Sequence, residues 1–413
     1  MHRFPSFDEL HRTITALARD HSARVELHEV GKSRGGRGVL LASVGKGRKN
    51  VLVLGGPHAN EPTGFLTVIH LARLAAKHPD FAEGLDVTWH FVPCMDPDSM
   101  VLGEGWYGAP RTIRNYYGNF YRPAFVHQPE WSFPVDGGFD RPLPETRALM
   151  SVIDDLRPKF VYSLHSADFT GHHFMVTSAA PALVSDIEHA MARRGLPVHT
   201  APSDGGTPIV GRGVFLMPAP PRPDPGGQVP FGASSIHYAQ RHGALGIVPE
   251  TPMWHCPQFA DTGSSGRLYA ALFRAAADGI ERDRDFLAGV VDRALDDLPQ
   301  DSPLFVAVAE GLPFAEQAAR QFRSSAEDPT HGRPATVAEQ YQLLMMRYTL
   351  SLRPGGMLLQ LLEGAGAKSE KEVRNWFDRR CARMRSDFPG RALDLRELTA
   401  LQMEVGLAAV RGL

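Results

Sequence analysis

Gly55-Gly56-Pro57-His58-Ala59-Asn60-Glu61-Pro62-Thr63-Gly64 is the stretch on which the reading of this chain turns. It follows the unbroken apolar run Val51-Leu52-Val53-Leu54 and precedes an amphipathic segment from Phe65 to Lys77. That order reads as buried strand, tight turn and helix, with Pro62 suited to a first helical position. A histidine and a glutamate three residues apart at such a junction can both face one spot above a sheet. Imidazole nitrogen and carboxylate oxygen both suit zinc, but a catalytic zinc requires a third protein ligand. An HxxE alone is equally an ordinary surface turn, so the rest of the chain must supply the argument.

Working outward, 413 residues with 43% hydrophobic and 22% charged side chains describe an ordinary globular composition. The length suits one large catalytic domain and a smaller second one. A formal net charge of −2 gives no reason to expect nucleic acid or an anionic membrane as partner. The start, Met1-His2-Arg3-Phe4-Pro5, lacks the apolar core of a secretory signal, and no run approaches the length of a membrane span, so cytoplasmic residence is expected. Cys94, Cys256 and Cys381 are too far apart for a disulfide framework or a cysteine-type zinc site. Cys94 and Cys256 are expected to be small buried apolar residues.

Apolar spacing predicts a helix over Phe7 to His21. A strand pair, Arg24 to Val30 and Val39 to Val44, is expected around a glycine-rich turn. Asp86 to Pro93 reads as a strand, followed by a loop rich in aromatics and arginines from Gly103 to Arg141. A helix over Pro144 to Leu156, a strand over Lys159 to Leu164 and a helix over Ala182 to Arg194 come next. Ala201 to Ser235 is dense in proline and glycine and reads as a long excursion over one face. Ile236 to Arg241 suggests a helix and Ala244 to Val248 a short buried strand that ends on Pro249-Glu250. The alternation implies an α/β fold: a mixed, largely parallel sheet with flanking helices.

From about Gly266 the pattern is helical only. Thr336-Val337-Ala338-Glu339 and Ser369-Glu370-Lys371-Glu372 both have capping-box form. The first leads into a helix expected to stop at Pro354-Gly355-Gly356, the second into one that stops at Pro389-Gly390. The expected division is therefore a catalytic domain over 1–285 and a helical region over 286–413 that serves packing or self-association.

Ligand sites in open α/β sheets form beyond the carboxyl ends of strands. Three such ends here carry site-forming groups: His58 with Glu61, His165, and Glu250. Singly, each reads as a satisfied histidine or a capping carboxylate. Jointly, two histidines and a glutamate as ligands plus one free glutamate meet the needs of metal-assisted amide hydrolysis.

At this point the chain resembles the zinc carboxypeptidases of the carboxypeptidase A-like family over roughly residues 1 to 280. Val30-Gly31-Lys32-Ser33-Arg34-Gly35-Gly36-Arg37 resembles that family's GxSxxGR turn, and Gly56-Pro57-His58-Ala59-Asn60-Glu61 its HxxE motif. Asp96-Pro97-Asp98 sits where the family reads NPDG. Pro144-Glu145-Thr146-Arg147-Ala148-Leu149 resembles the helix before the third ligand, and Ser163-Leu164-His165-Ser166 that ligand's strand end. Ile247-Val248-Pro249-Glu250 resembles the strand that presents the catalytic glutamate.

The resemblance implies one zinc per chain held by His58, Glu61 and His165, with Glu250 as general base and acid. It also implies an arginine at the oxyanion, with Arg111 and Arg114 as candidates and Arg114 preferred. Arg122 is implied in the grip on the substrate's terminal carboxylate, beside Tyr121 in place of the family's asparagine. Asn119 stands where the family has the aspartate that orients a zinc-binding histidine. The loop Gly205 to Ala233, where the family's capping tyrosine belongs, contains no tyrosine, and Tyr238 is assigned no role. The expected activity is removal of a C-terminal residue from a peptide or peptide-like metabolite. The alternatives are deacylation of an N-acyl amino acid, as in aspartoacylase and succinylglutamate desuccinylase relatives, and a non-catalytic binding protein. His172-His173 is not expected to hold a second metal, because neighbours on a strand point to opposite faces.

Overall fold

The computed structural model describes residues 3–78, 84–199, 207–222 and 231–413. Nine strands form one sheet: β1 (Val25–Lys32), β2 (Gly38–Val44), β3 (Lys49–Leu54), β4 (Val87–Val92), β5 (Phe160–Ser163), β6 (His173–Val176), β7 (Ile209–Gly211), β8 (Val214–Leu216) and β9 (Leu245–Glu250). Their order is β1-β2-β4-β3-β5-β9-β6-β8-β7. The central strands β4, β3, β5 and β9 run parallel, while β2 against β4 and β6 against β9 run antiparallel. The fold is thus a mixed sheet whose parallel centre is flanked on both sides by antiparallel strands.

Period-two burial divides the sheet into two packed faces. Val51 and Val53 join a core shared with the helices α1 (Phe7–Asp20) and α2 (Thr63–Lys77). Leu52 and Leu54 face the opposite core, with Leu149 and Ile236. Between β2 and β9 lie the short helices α3 (Pro97–Gly103) and α4 (Ile113–Gly118), then α5 (Pro144–Leu156), α6 (Pro181–Ala192) and α7 (Ser235–Ala239). Much of the expected excursion from Ala201 to Ser235 lies outside the described residues, as does part of the loop Gly205 to Ala233.

Five helices follow: α8 (Tyr269–Ala294), α9 (Pro303–Glu327), α10 (Val337–Ala365), α11 (Glu370–Asp387) and α12 (Leu395–Arg411). A short antiparallel pair, Ser264–Leu268 with Pro334–Thr336, also occurs in this part of the chain. Helix α8 runs through position 285 without a break. Leu287, Leu358, Trp376 and Leu401 belong to the same apolar cluster as Val51 and Phe65. Among the described residues no helix is long and apolar enough to cross a membrane.

Two local expectations are corrected. Thr336 forms its capping box with Glu339, but Ser369, just before α11, has helical rather than extended backbone angles and makes no side-chain cap. Helix α10 does not stop at Pro354-Gly355-Gly356 but continues to Ala365. The reason is close packing. A Cβ on Gly356 would lie 1.9 Å from the carbonyl oxygen of Tyr117, and one on Gly355 2.3 Å from the Trp376 ring. The small residues let α10 seat directly on α4 and α11, and that burial outweighs the weak helical propensity of the Pro-Gly-Gly run.

Candidate metal centre and active site

Strands β3, β5 and β9 are parallel neighbours, so their carboxyl ends share one edge of the sheet. The chain moves from β3 to β4 on one side and later to β5 on the other. His58, Glu61 and His165 therefore sit where the strand order reverses, the crevice that open α/β sheets use for ligands. Pro62 precedes rather than opens α2, which starts at Thr63.

The three side chains converge. Among the described residues, His58, Glu61 and His165 form a group whose ligand atoms all lie within 4.8 Å of one another, and all three are buried. His165 Nδ1 is 3.0 Å from Glu61 Oε2, and the two imidazole rings lie 5.0 Å apart. Two ligand atoms on a tetrahedral zinc are about 3.3 Å apart, given bonds of about 2.0–2.1 Å. The donor set therefore fits such an ion. His58 strengthens the fit: both its ring nitrogens are buried without a hydrogen-bond partner among the described residues. Burial, with Arg122 nearby, holds its pKa well below the ordinary histidine value, so a neutral ring offers a lone pair.

The other groups around this triad orient it. Against the cost of burial, the His58 and His165 rings and Arg122 hold Glu61 below the usual carboxylate range. The Ser166 backbone N–H donates to Glu61 Oε2 at 3.1 Å, and Arg122 Nη1 donates to Oε1 at 3.0 Å. Burial opposes charge on His165, but the Glu130 and Glu61 carboxylates more than offset it and raise the ring to about 10. Glu130 Oε1 faces His165 Nε2 at 3.8 Å and accepts from Ser235 Oγ at 3.0 Å. A carboxylate behind a ligand histidine is the usual way its ring is oriented and made more basic.

Glu250 ends β9 and, with His58, Glu61 and His165, borders one cavity of about 340 Å³. Burial first, then the charge of Glu61, pushes its carboxyl up to about 8. Directly across the β6–β9 pairing from Glu250 stands His173, with the His199 ring 5.0 Å from it. Both imidazoles line the cavity, and both are kept neutral by burial. His172 does not border the cavity, as strand alternation requires, and its ring nitrogens are buried without partners among the described residues.

Several sequence-based assignments are corrected. Arg114 turns away from the triad: its Nε donates to Asp378 at 2.8 Å, and with Arg111 it lines a different groove. Asn119 closes α4, donates to the Asn115 carbonyl, and does not border the cavity. Glu130 is the carboxylate beside His165. Tyr121 is buried against another groove with Arg34 and Asp98. Arg122 does reach the cavity, but its Nη1 is committed to Glu61 and its Nε donates to Gln128 at 3.2 Å. Trp131 and Phe169 border the cavity. Cys94 and Cys256 are buried, and burial pushes their thiols up.

Helices beyond residue 285 also reach the site. Gln342, Met346 and Arg353 on α10 border the cavity. Arg353 Nη2 donates to Asp168 Oδ2 at 2.6 Å. Gln402 on α12 is fully buried and donates to the His165 carbonyl at 2.9 Å and to Thr251 Oγ1 at 3.0 Å. It also accepts from Thr67 Oγ1 at 2.6 Å. One amide thereby joins α2, the end of β5 and the end of β9. No short-range signal marks Gln402 or Arg353, because their partners lie 237 and 185 positions away.

Residues 10–170 match the zinc carboxypeptidase family, Peptidase M14, a stretch that includes His58, Glu61 and His165 and stops short of Glu250. No curated protein matches the sequence. Similar solved structures include a metallo-carboxypeptidase from Burkholderia cenocepacia, at 18% identity and a TM-score of 0.40 over 60% of this chain and 60% of that one. Another is carboxypeptidase A from Helicoverpa armigera, at 12% identity and a TM-score of 0.42 over 78% of this chain and 73% of that one.

Proposed function

We propose that the protein uses one zinc ion, held by His58, Glu61 and His165, to hydrolyse an amide bond and release the C-terminal residue of a peptide or peptide-like metabolite. The observation that carries this reading is the single cavity on which the three ligand side chains, Glu250 and two guanidinium groups border together. When bound, zinc supplies Lewis-acid activation of a water and of the scissile carbonyl. The protein's own groups do the rest. Glu250, beyond the ligand set and with a carboxyl raised by burial, takes a proton on its carboxylate oxygen and returns it to the leaving amine. Arg122 holds Glu61 in place as a ligand. The small volume suits one residue beyond the cleaved bond rather than a long peptide.

Glu250→Gln provides the test. The variant should keep its zinc while kcat on blocked dipeptides falls at least ~10²-fold, the usual contribution of a positioned acid–base group. Near-normal turnover, or loss of zinc, would remove Glu250 from this role.

A further inference from the structure

We infer that α10 forms the substrate-selecting wall of the cavity, and that Arg353 recognises a carboxylate on the substrate. This rests on the hydrolase reading above and adds to it the group that reads substrate charge.

Gln342, Met346, Thr349 and Arg353 follow helical spacing along one stripe of α10, and the first, second and fourth border the cavity. Thr349 fixes that stripe against the catalytic half: its Oγ1 lies 3.0 Å from Tyr117 Oη. The close seat of Gly356 on the Tyr117 carbonyl holds the next turn. The arginine is thus presented by a helix clamped at two points.

Arg353 itself has donors to spare. Nη2 is engaged by Asp168, and Asp168 in turn accepts from Tyr116 Oη. Nε is buried and has no hydrogen-bond partner among the described residues. The guanidinium carbon lies over the Phe120 ring, 4.9 Å from its centroid, which helps to position the group. A buried N–H without an acceptor is costly, and a planar guanidinium matches the two oxygens of a carboxylate. Arg122, the other cation at the cavity, already has two nitrogens committed to Glu61 and Gln128. Arg114 is paired with Asp378 elsewhere. Arg353 is therefore the cation left for an anionic substrate. The carboxylate it takes is either the substrate's C-terminal group or an acidic side chain on the released residue.

Benzoylglycyl dipeptides ending in alanine, glutamine or glutamate, each as free acid and as amide, separate these sources. On the zinc-loaded full chain, the wild type should prefer free acid over amide, or glutamate over glutamine, by about 10- to 100-fold in kcat/KM, the range of one charge-assisted pairing. Arg353→Gln should lose most of that preference with its zinc retained, and Arg353→Lys should recover part of it. Loss of the acid-over-amide preference identifies the terminal carboxylate as the ligand, and loss of the glutamate-over-glutamine preference identifies the side chain. A preference that survives in Arg353→Gln, or a wild type that hydrolyses all these substrates equally, would overturn the inference. A zinc-loaded wild type that hydrolyses none of them would count against the proposed hydrolysis instead.

Because Arg353 pairs with buried Asp168, replacing it also removes a buried ion pair, so phenylglyoxal labelling of the wild type, mapped by mass spectrometry, supplies a measurement free of mutation and of turnover. Labelling of Arg353 should be slowed by saturating benzoylglutamate and not by its diamide. Equal labelling with both would overturn the inference.

Discussion

Replacing Gln402 by leucine tests whether the last helix holds the metal centre together. The side chain is fully buried, and leucine is close to it in size, so the main loss is hydrogen bonding rather than volume. Thr67 Oγ1 has a fallback, the Thr63 carbonyl at 3.4 Å. The His165 carbonyl and Thr251 Oγ1 lose the Gln402 donor. Leaving a buried polar group unsatisfied costs about 1–3 kcal/mol. Two such groups, partly relaxed, give an expected loss of about 2–5 kcal/mol in the stability of the zinc-free protein, readable by urea unfolding. The same change releases the backbone at His165 and beside Glu250, so zinc affinity, measured by chelator competition, should fall about 10-fold or more. Gln402→Glu keeps the acceptor for Thr67 but sets a carboxylate oxygen against the His165 carbonyl, and should be at least as damaging. A stability loss under about 0.5 kcal/mol together with unchanged zinc affinity would refute the reasoning, since that is the range of a surface substitution.

Three further outcomes follow from the same geometry. Arg122→Ala should weaken zinc binding about 10-fold or more by freeing Glu61 Oε1, and unchanged affinity in chelator competition would show that the guanidinium does not tune that ligand. Arg114→Ala should leave kcat/KM within about twofold, because its partner is an exposed carboxylate away from the cavity, and a larger loss on blocked dipeptides would restore it to the site. Burial lifts Asp96 from 3.8 to about 7, so the wild type should lose stability as pH rises across that window. Asp96→Asn keeps an acceptor for the Ser99 N–H and should gain on the wild type by up to about 4 kcal/mol above pH 7, whereas stability curves that stay parallel from pH 4 to 8 would refute this.

How far the sequence could be read depended on the range of the interactions involved. Strands β3, β5 and β9 were legible because each is an apolar run, and the convergence of the groups at their ends was legible because parallel neighbours share one edge. Glu130 was not, since it lies on a one-turn 3₁₀ segment with no periodicity, and only the fold brings it to His165. Arg114 was misplaced because closeness in sequence to a motif says nothing of direction. The six-residue helix around it turns the guanidinium toward Asp378, 264 positions away. The Pro354-Gly355-Gly356 stop failed in the opposite sense. A local breaker signal was correct as propensity and lost to packing that the sequence could not display. Most of what the sequence did not show lies at one seam. Arg114, Arg353 and Gln402 all pair across the divide between the sheet and the C-terminal helices, where no motif of the N-terminal family match reaches. The proposed ligand set is therefore a local property of two strand ends, those of β3 and β5. Part of its bracing, the Gln402 bond to the His165 carbonyl, and Arg353 at the cavity come from the C-terminal helices, so altering that region should change zinc affinity and substrate choice even with His58, Glu61, His165 and Glu250 intact.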